Sequence, residues 1–314
     1  MEITVRETDQ EEYSAVFGKS GNLFDSDAFT LLNSRKAPEG LVWLLLESGG
    51  KPRLGLVAAR RGDVLHAPFS APYAFFRWNK APSLQTIYDS AEALARYLRD
   101  REMRLRWVLP PLAHYPSEVQ ACWASLLSNG AQQVHVDYNL HLPLGKPEDV
   151  TDAMTTGGRN QWRMSLREGV VTEVPEKISD EDLAEAYSII SENHRMKGFP
   201  MRMSLDDYRE TAPLAQARAA FASIPGKRIA AAIFFEVRHG EIMQAISWGD
   251  LREYSHLRPM NALLVAAARE FAAKGFRMLD MGPSSENGIP ALGQAHFKQE
   301  TGARLSLKPA LLLG

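Results

Sequence analysis

The sequence predicts an α/β (α+β) chain built from two tandem copies of one fold, and three observations predict it. The chain has 314 residues, enough for about two domains at roughly 150 residues each. Strand-type and helix-type patterns alternate along its whole length. Each half also presents helices, then a hairpin, then a helix followed by a strand. Apolar residues make up 45% and charged residues 24%, the mix of a folded globular protein rather than a disordered one.

The elements follow in order. Ile3 to Arg6 alternates apolar and polar residues, as a half-buried strand does. Asp27 to Asn33 reads as a short helix. Leu41 to Leu46 and Arg53 to Ala59 read as strands joined by a Gly49-Gly50 turn, and Asp63 to Ala67 continues the meander. Ile87, Ala91, Leu94, Ala95 and Leu98 share one helical face. Leu105 to Leu109 is a strand stopped by Pro110-Pro111. Ser117 with Gln120 reads as a capping box, opening a helix that ends near Asn129-Gly130. Val134 to Leu142 alternates again as a strand. The turn-rich stretch Pro143 to Asp149 is the expected boundary, giving domains 1–148 and 149–314.

The second half repeats the plan. Ser179 with Asp182, and Ser204 with Asp207, open two helices. Lys227 to Val237 and Glu241 to Trp248 form a hairpin across Arg238-His239-Gly240. Met260, Leu263, Leu264, Ala267 and Phe271 mark a periodic helix that stops at Lys274-Gly275. Phe276 to Met281 is a strand running into Gly282-Pro283-Ser284-Ser285. A short helix near Gly293 to Thr301 and a strand near Arg304 to Leu307 follow.

Charge and composition exclude several functions. Thirty-six Lys and Arg against 38 Asp and Glu give a net charge of -2, so binding to duplex nucleic acid through bulk counterion release is not expected. A few clustered arginines can still make a local phosphate site. Cys122 is the single cysteine. No intrachain disulfide or cysteine zinc site can form, and its apolar neighbours suggest a buried, inert thiol. The eight histidines show no metal-ligand spacing, so no metal is expected. The first residues lack the basic and apolar regions of a signal peptide. The apolar runs Leu41 to Leu46 and Ile229 to Phe235 are far shorter than the ~20 residues of a membrane helix. A cytoplasmic protein without a transmembrane segment is expected. No Gly-x-Ser-x-Gly elbow, His-Glu-x-x-His helix or Gly-Lys-Ser/Thr phosphate loop is present.

Three features rise above this background. Arg159, Arg163 and Arg167 recur every fourth residue, so a helix would carry their guanidiniums on one face as a forked anion binder. A helix start after Gly157-Gly158 would add free N–H groups. A solvated face is the alternative. Next, Gly249-Asp250-Leu-Arg-Glu-Tyr-Ser-His256-Leu-Arg258-Pro259 joins a strand to the periodic helix, with Pro259 suited to the first turn. Last, Asp280-Met-Gly282-Pro-Ser284-Ser285-Glu-Asn287-Gly288 leaves a strand at its carboxyl end, a common ligand position in α/β sheets, and leads to Phe297-Lys298 and Gly302-Ala303.

Together these segments resemble the Fem-type peptidoglycan aminoacyltransferases and their FemAB-like relatives. Arg159-Asn-Gln-Trp-Arg163-Met-Ser-Leu-Arg167-Glu-Gly169-Val170 is similar to the family's Arg-Asn-x-x-Arg…Gly-Val segment. Lys197-Gly198-Phe199-Pro200, Tyr254 to Pro259, Asp280-Met281-Gly282 and Phe297-Lys298…Gly302-Ala303 match in register. The resemblance covers residues 159–305. In the first half only Phe24-Asp25-Ser26-Asp27-Ala28-Phe29 and Pro68-Phe69-Ser70-Ala71-Pro72-Tyr73 are suggestive.

The resemblance implies two tandem GNAT-like domains with mixed central sheets flanked by helices, the last strand able to return to the first domain. It implies acyl or aminoacyl transfer to an amine, in the family on a peptidoglycan precursor. Lys298 would stabilise the oxyanion or orient the donor carbonyl, and Asp280 would orient Lys298 or the amine, or simply end its strand. Arg159 and Arg163 would bind phosphate of a nucleotide, a tRNA end or a lipid-linked substrate. His256, Arg258, Ser284, Ser285, Asn287 and Tyr73 complete the expected substrate-binding set. The implied donor is an aminoacyl-tRNA or an acyl-CoA. No long charged heptad arm for tRNA is present. In GNAT acyltransferases the strand-to-helix junction carries a glycine-rich pyrophosphate loop, whereas Pro259 stands here. A CoA-dependent N-acetyltransferase and a non-catalytic binding protein with this fold therefore remain as alternatives.

Overall fold

The computed structural model describes residues 2–314. The elements run β1 (Thr4–Thr8), α1 (Gln10–Phe17), α2 (Asp27–Asn33), β2 (Leu41–Ser48), β3 (Lys51–Arg61), β4 (Val64–Ala67), α3 (Leu84–Arg99) and β5 (Arg104–Val108). Then come α4 (Pro116–Ser128), β6 (Gln132–Pro143), α5 (Thr156–Arg167), β7 (Val171–Glu173), α6 (Asp180–Lys197), α7 (Leu205–Thr211), β8 (Arg218–Ile224) and β9 (Lys227–Arg238). The last are β10 (Ile242–Asp250), α8 (Pro259–Ala273), β11 (Met278–Pro283), β12 (Ser285–Glu286), β13 (Ile289–Pro290), α9 (Leu292–Glu300) and β14 (Arg304–Leu313). Among the described residues no helix is long and apolar enough to cross a membrane.

The chain divides into two compact units. The first runs up to Tyr138 and includes Ser285–Ile289 and Ser306–Gly314; the second comprises Asn139–Ser284 and Pro290–Leu305. The division falls inside β6, upstream of the turn-rich stretch at Pro143 to Asp149 where the sequence places a boundary. A turn marks where a chain can change direction, whereas strand pairing decides which unit a residue joins.

In the first unit the strands lie in the order β1-β2-β3-β4-β5-β14-β6. β4 and β5 are parallel, joined by α3, while β14 pairs antiparallel with β5 through Ala310↔Val108. Ile87, Ala91, Leu94 and Leu98 of α3 are buried with Leu44, Leu46, Leu56 and Trp107, as the helical spacing of the sequence requires. Tyr13 and Phe17 of α1 pack with Trp43 and Leu45. Alternate residues of β2 thus serve two different clusters, so the strand reads as a continuous apolar run.

In the second unit the order is β6-β11-β10-β9-β8-β7. β10 and β11 are parallel, joined by α8. Leu263, Leu264, Ala267 and Phe271 of α8 pack with Ala230, Ala232 and Phe234 of β9 and with Leu279 and Met281 of β11. The opposite set on β9 includes Phe235, whose ring meets Tyr208 of α7 at 6.0 Å. The run from Ile229 to Phe235 is therefore buried throughout.

Some expectations are corrected. The Ser117–Gln120 capping box does not form. α4 begins at Pro116, after Tyr115, with no side-chain cap, because proline already has the helical φ and no N–H to satisfy. The Ser204–Asp207 box does form, and Ser179 caps Asp182. Gly157 and Gly158 lie inside the first turn of α5 rather than before it, with Thr155 as the N-cap accepting from Gly158 N.

Candidate active site

The site is built at the carboxyl end of β11. Leu279 and Met281 point into the core of the second unit, so alternation turns Asp280 to the other face. There Asp280 lies opposite Gln244 of β10 and His141 of β6. Asp280 is fully buried. Its Oδ1 accepts from Asn139 Nδ2 and from the Gly282 amide, both at 2.8 Å. The second bond folds the carboxyl back over its own chain and ends the regular strand. Gly282 has φ +72°, a conformation that a side chain would disfavour.

This bend aims two carbonyls at Lys298. Lys298 Nζ of α9 donates to Gly282 O and Pro283 O, each at 2.9 Å, and lies 5.6 Å from the Trp248 ring centroid. The side chain is 3% exposed. Its charge is met by carbonyl dipoles, not by a directly bonded carboxylate. Burial consequently pulls its pKa down from the lysine range to about 7, with the charge of Asp280 acting in the opposite direction. An ammonium has three N–H donors, and two are engaged here. The third direction is an N–H when Lys298 is protonated and a lone pair when it is neutral.

Three buried polar atoms near this strand end, Asn139 Oδ1, Gln244 Oε1 and Ser284 Oγ, have no hydrogen-bond partner among the described residues. Buried polar groups are normally satisfied, so they mark a place where polar chemistry is left available. Asn139 braces the bend most directly. Asn139→Leu should destabilise the chain by about 2 kcal/mol in urea denaturation, because it removes one hydrogen bond and leaves a buried carboxyl oxygen short of a donor.

The other expected site residues are distributed differently. Arg159 Nη1 faces three backbone carbonyls, Thr151 O, Asp152 O and Met154 O, at 3.5, 3.3 and 2.8 Å. It thereby braces the segment before α5. Arg163 and Arg167 are exposed and, with Asn160 and Leu166, line an open surface depression. The start of α5 is not an open anion site, since its Gly157 and Gly158 pack against Glu300 of α9.

His256 and Arg258 are exposed in the turn before α8. Arg258 occupies the left-handed region at φ +57° and precedes Pro259 without providing a side-chain cap. The turn is held by Asp250, whose carboxyl accepts from Asn193 Nδ2 and Ser255 Oγ at 3.0 and 2.7 Å. Ser285 and Asn287 belong to the first unit. Ser285 Oγ donates to Asp137 at 2.7 Å, and Asn287 (φ +50°) and Gly288 form the turn between β12 and β13.

Tyr73, expected among the substrate-binding residues, is buried, with its hydroxyl 3.2 Å from His114 Nδ1 and 3.4 Å from Asn22 Nδ2. Cys122 is fully buried, and burial pushes its thiol up. The sequence reading missed Asn139, Gln244 and Trp248. A polar residue interrupting an apolar strand was the available signal for Gln244, whereas Asn139 falls on the regular polar face of an alternating strand and gave none.

No protein-family model matches the sequence, and no curated protein matches it. Solved structures do. FemX aligns over 98% of this chain and 97% of its own, with a TM-score of 0.63 and 11% identity. The chain has the tandem GNAT-like fold. The C-terminal domain of a putative lysylphosphatidylglycerol synthetase from Agrobacterium fabrum aligns with this tandem GNAT-like chain over 96% of its length and over 91% of the domain, at TM-score 0.57 and 11% identity. A tandem GNAT protein from the clavulanic acid biosynthesis pathway covers 99% of it, and 98% of that protein aligns, at TM-score 0.51 and 10% identity.

Proposed function

We propose that this tandem GNAT-like chain transfers an acyl or aminoacyl group to an amine, with Lys298 as the group that stabilises the oxyanion. The observation that carries this reading is a buried lysine held by two backbone carbonyls at a strand end. The amine attacks the carbonyl carbon of an ester or thioester, and the carbonyl oxygen becomes an oxyanion. The third N–H of Lys298 donates to that oxygen from a site that excludes water, where such a bond is strongest. Collapse re-forms the carbonyl and expels the alcohol or thiol, while the proton lost by the amine passes to the leaving group or to solvent. Asp280 and Asn139 act at one remove, by fixing the bend that presents the carbonyls. Because the donor proton is lost as pH rises through about 7, the Lys298-dependent rate should decline on the alkaline side.

The resemblance to the Fem-type family and the likeness to FemX support an aminoacyl donor and a peptidoglycan-precursor acceptor. The turn before Pro259, which has no glycine among Leu251 to Arg258, supports that donor over acyl-CoA. Arg163, exposed and lining the surface depression with Asn160, Leu166 and Arg167, is proposed as the phosphate contact on the acceptor or donor. Thermal shift of the full chain against an aminoacyl-tRNA, a UDP-linked muropeptide and acetyl-CoA tests the assignment. Stabilisation by the first two is expected, and stabilisation by acetyl-CoA alone overturns it. Arg163→Ala should weaken binding of the phosphorylated ligand about tenfold with no change in stability. Arg159→Ala should instead lower the thermal midpoint, because three carbonyls lose their donor.

A further inference from the structure

The first unit contains a small cavity closed by two segments that are distant in sequence, Phe24 to Thr30 and Pro68 to Phe75. Its volume of about 20 Å³ accommodates one water-sized group. Tyr13, Phe24, Phe29, Phe69 and Phe75 supply aromatic walls. Three polar residues share the lining, Asp25, Thr30 and Ser70, the last already donating to Asn33 Oδ1 at 2.8 Å. Thr30 is 3% exposed.

The charges around this cavity do not cancel. Arg77 is buried, and its guanidinium pairs with Asp27 at 2.5 Å and donates to Gly18 O. It also approaches the Asp25 backbone carbonyl at 3.4 Å and lies 5.6 Å from the Tyr13 ring and 6.0 Å from the Phe17 ring. Among the described residues, the Asp25 carboxyl accepts a hydrogen bond from the Ser20 hydroxyl alone. Two carboxylates and one guanidinium therefore leave one negative charge beside aromatic residues. Burial holds the Asp25 pKa up at about 6, with Ser20 and Arg77 lowering it and Asp27 raising it. An uncompensated carboxylate in such a place favours a cationic neighbour.

We propose that this cavity binds the ammonium group of a primary alkylamine, with Asp25 as counter-ion, Thr30 as a second acceptor and the aromatic residues as cation–π walls. A –NH₃⁺ group is the size of a water molecule, so it matches the volume, whereas a quaternary ammonium exceeds it. An anion would face a net negative wall. A divalent metal would find a single carboxylate, Asp25, with only the hydroxyls of Thr30, Ser70 and Tyr13 beside it, short of the six or more oxygens such ions take. Cation–π attraction is strengthened in a desolvated setting. The site is made from first-unit residues alone, so it stands independently of the transfer chemistry assigned to Lys298.

Isothermal titration of the full chain with pentylammonium chloride tests this, with 1-pentanol as the neutral counterpart and Nα-acetyl-lysine amide representing a peptide amine. Saturable binding of pentylammonium is expected, at least about tenfold tighter than pentanol. Binding of the lysine derivative as well would assign the site to peptide amines, and its absence would assign it to free alkylamines. Asp25→Asn should weaken pentylammonium about tenfold or more, and Lys298→Met should leave it unchanged. Affinity should fall as pH drops through about 6, where Asp25 takes up its proton. The other charged and titratable groups facing it are Arg77, Asp27 and Tyr13. Equal binding of pentanol, an unaltered Asp25→Asn variant, or loss of binding in Lys298→Met overturns the proposal. Should Asp25→Asn not fold, amide resonances of Phe29 and Thr30 in the wild-type chain decide: shifts on titration support the site, and their absence refutes it.

Discussion

Lys298→Met should lower transfer by at least about a hundredfold in kcat, the loss that follows removal of a single oxyanion donor, yet the variant should still fold. Its stability is the more diagnostic reading. In the unfolded chain Lys298 keeps its proton up to about 10.5, and in the folded chain it releases it near 7. Between those values the unfolded state binds more protons, so the wild-type chain gains stability as pH rises, by about 1 kcal/mol per pH unit. Below about 7 the full burial penalty is present. Methionine has no such dependence. Urea denaturation at pH 7 and pH 9 should show the variant losing ground relative to wild type at the higher pH. Parallel stability profiles would mean that Lys298 is not buried near neutral pH, and full activity in the variant would remove it from the mechanism.

The second large effect concerns the helix that supports Lys298. An alanine in place of glycine inside a helix usually stabilises by about 0.5–1 kcal/mol. At Gly158 the sign should reverse. A Cβ there would stand 2.1 Å from the Glu300 carbonyl oxygen and 2.8 Å from its carbon. Backbone atoms cannot rotate away, so α5 or α9 must move. Gly158→Ala should cost about 2–3 kcal/mol or more, as overpacking does, and should lower kcat because α9 carries Lys298. Gly157→Ala is the internal control. Its nearest contact, at 2.7 Å, is the Glu300 carboxylate, the far end of a flexible side chain, so its cost should be small. Equal midpoints for the two variants in thermal melts would refute the close docking of α5 on α9.

How much of this was legible in the sequence depends on the range of the interaction. The faces of α3 and α8, the cap at Ser204 and the strand of Phe276 to Met281 were readable because each rests on residues a few positions apart. Lys298 and Asp280 were found through resemblance, as loose motifs in register. The partners that give them their properties were not, since Asn139 reaches Asp280 from a strand far upstream and the acceptors for Lys298 are carbonyls, which carry no residue identity. Arg159 and Arg163 look equivalent in a four-residue repeat, yet one is turned toward carbonyls and the other toward solvent.

By itself, the sequence determined the alternation of strands and helices, the near-neutral charge and the chemical groups available at the end of β11. Periodicity and capping act within a turn or two of the chain, and net charge needs no structure. Only the tertiary structure decided that Lys298 is dry and nearly neutral-poised, that Tyr73 is a core residue, and that Asp25 shares a cavity wall with Phe69. Burial, pKa and mutual distance depend on what distant segments bring to the same point, and pairing across strands settles that after the local pattern has been satisfied.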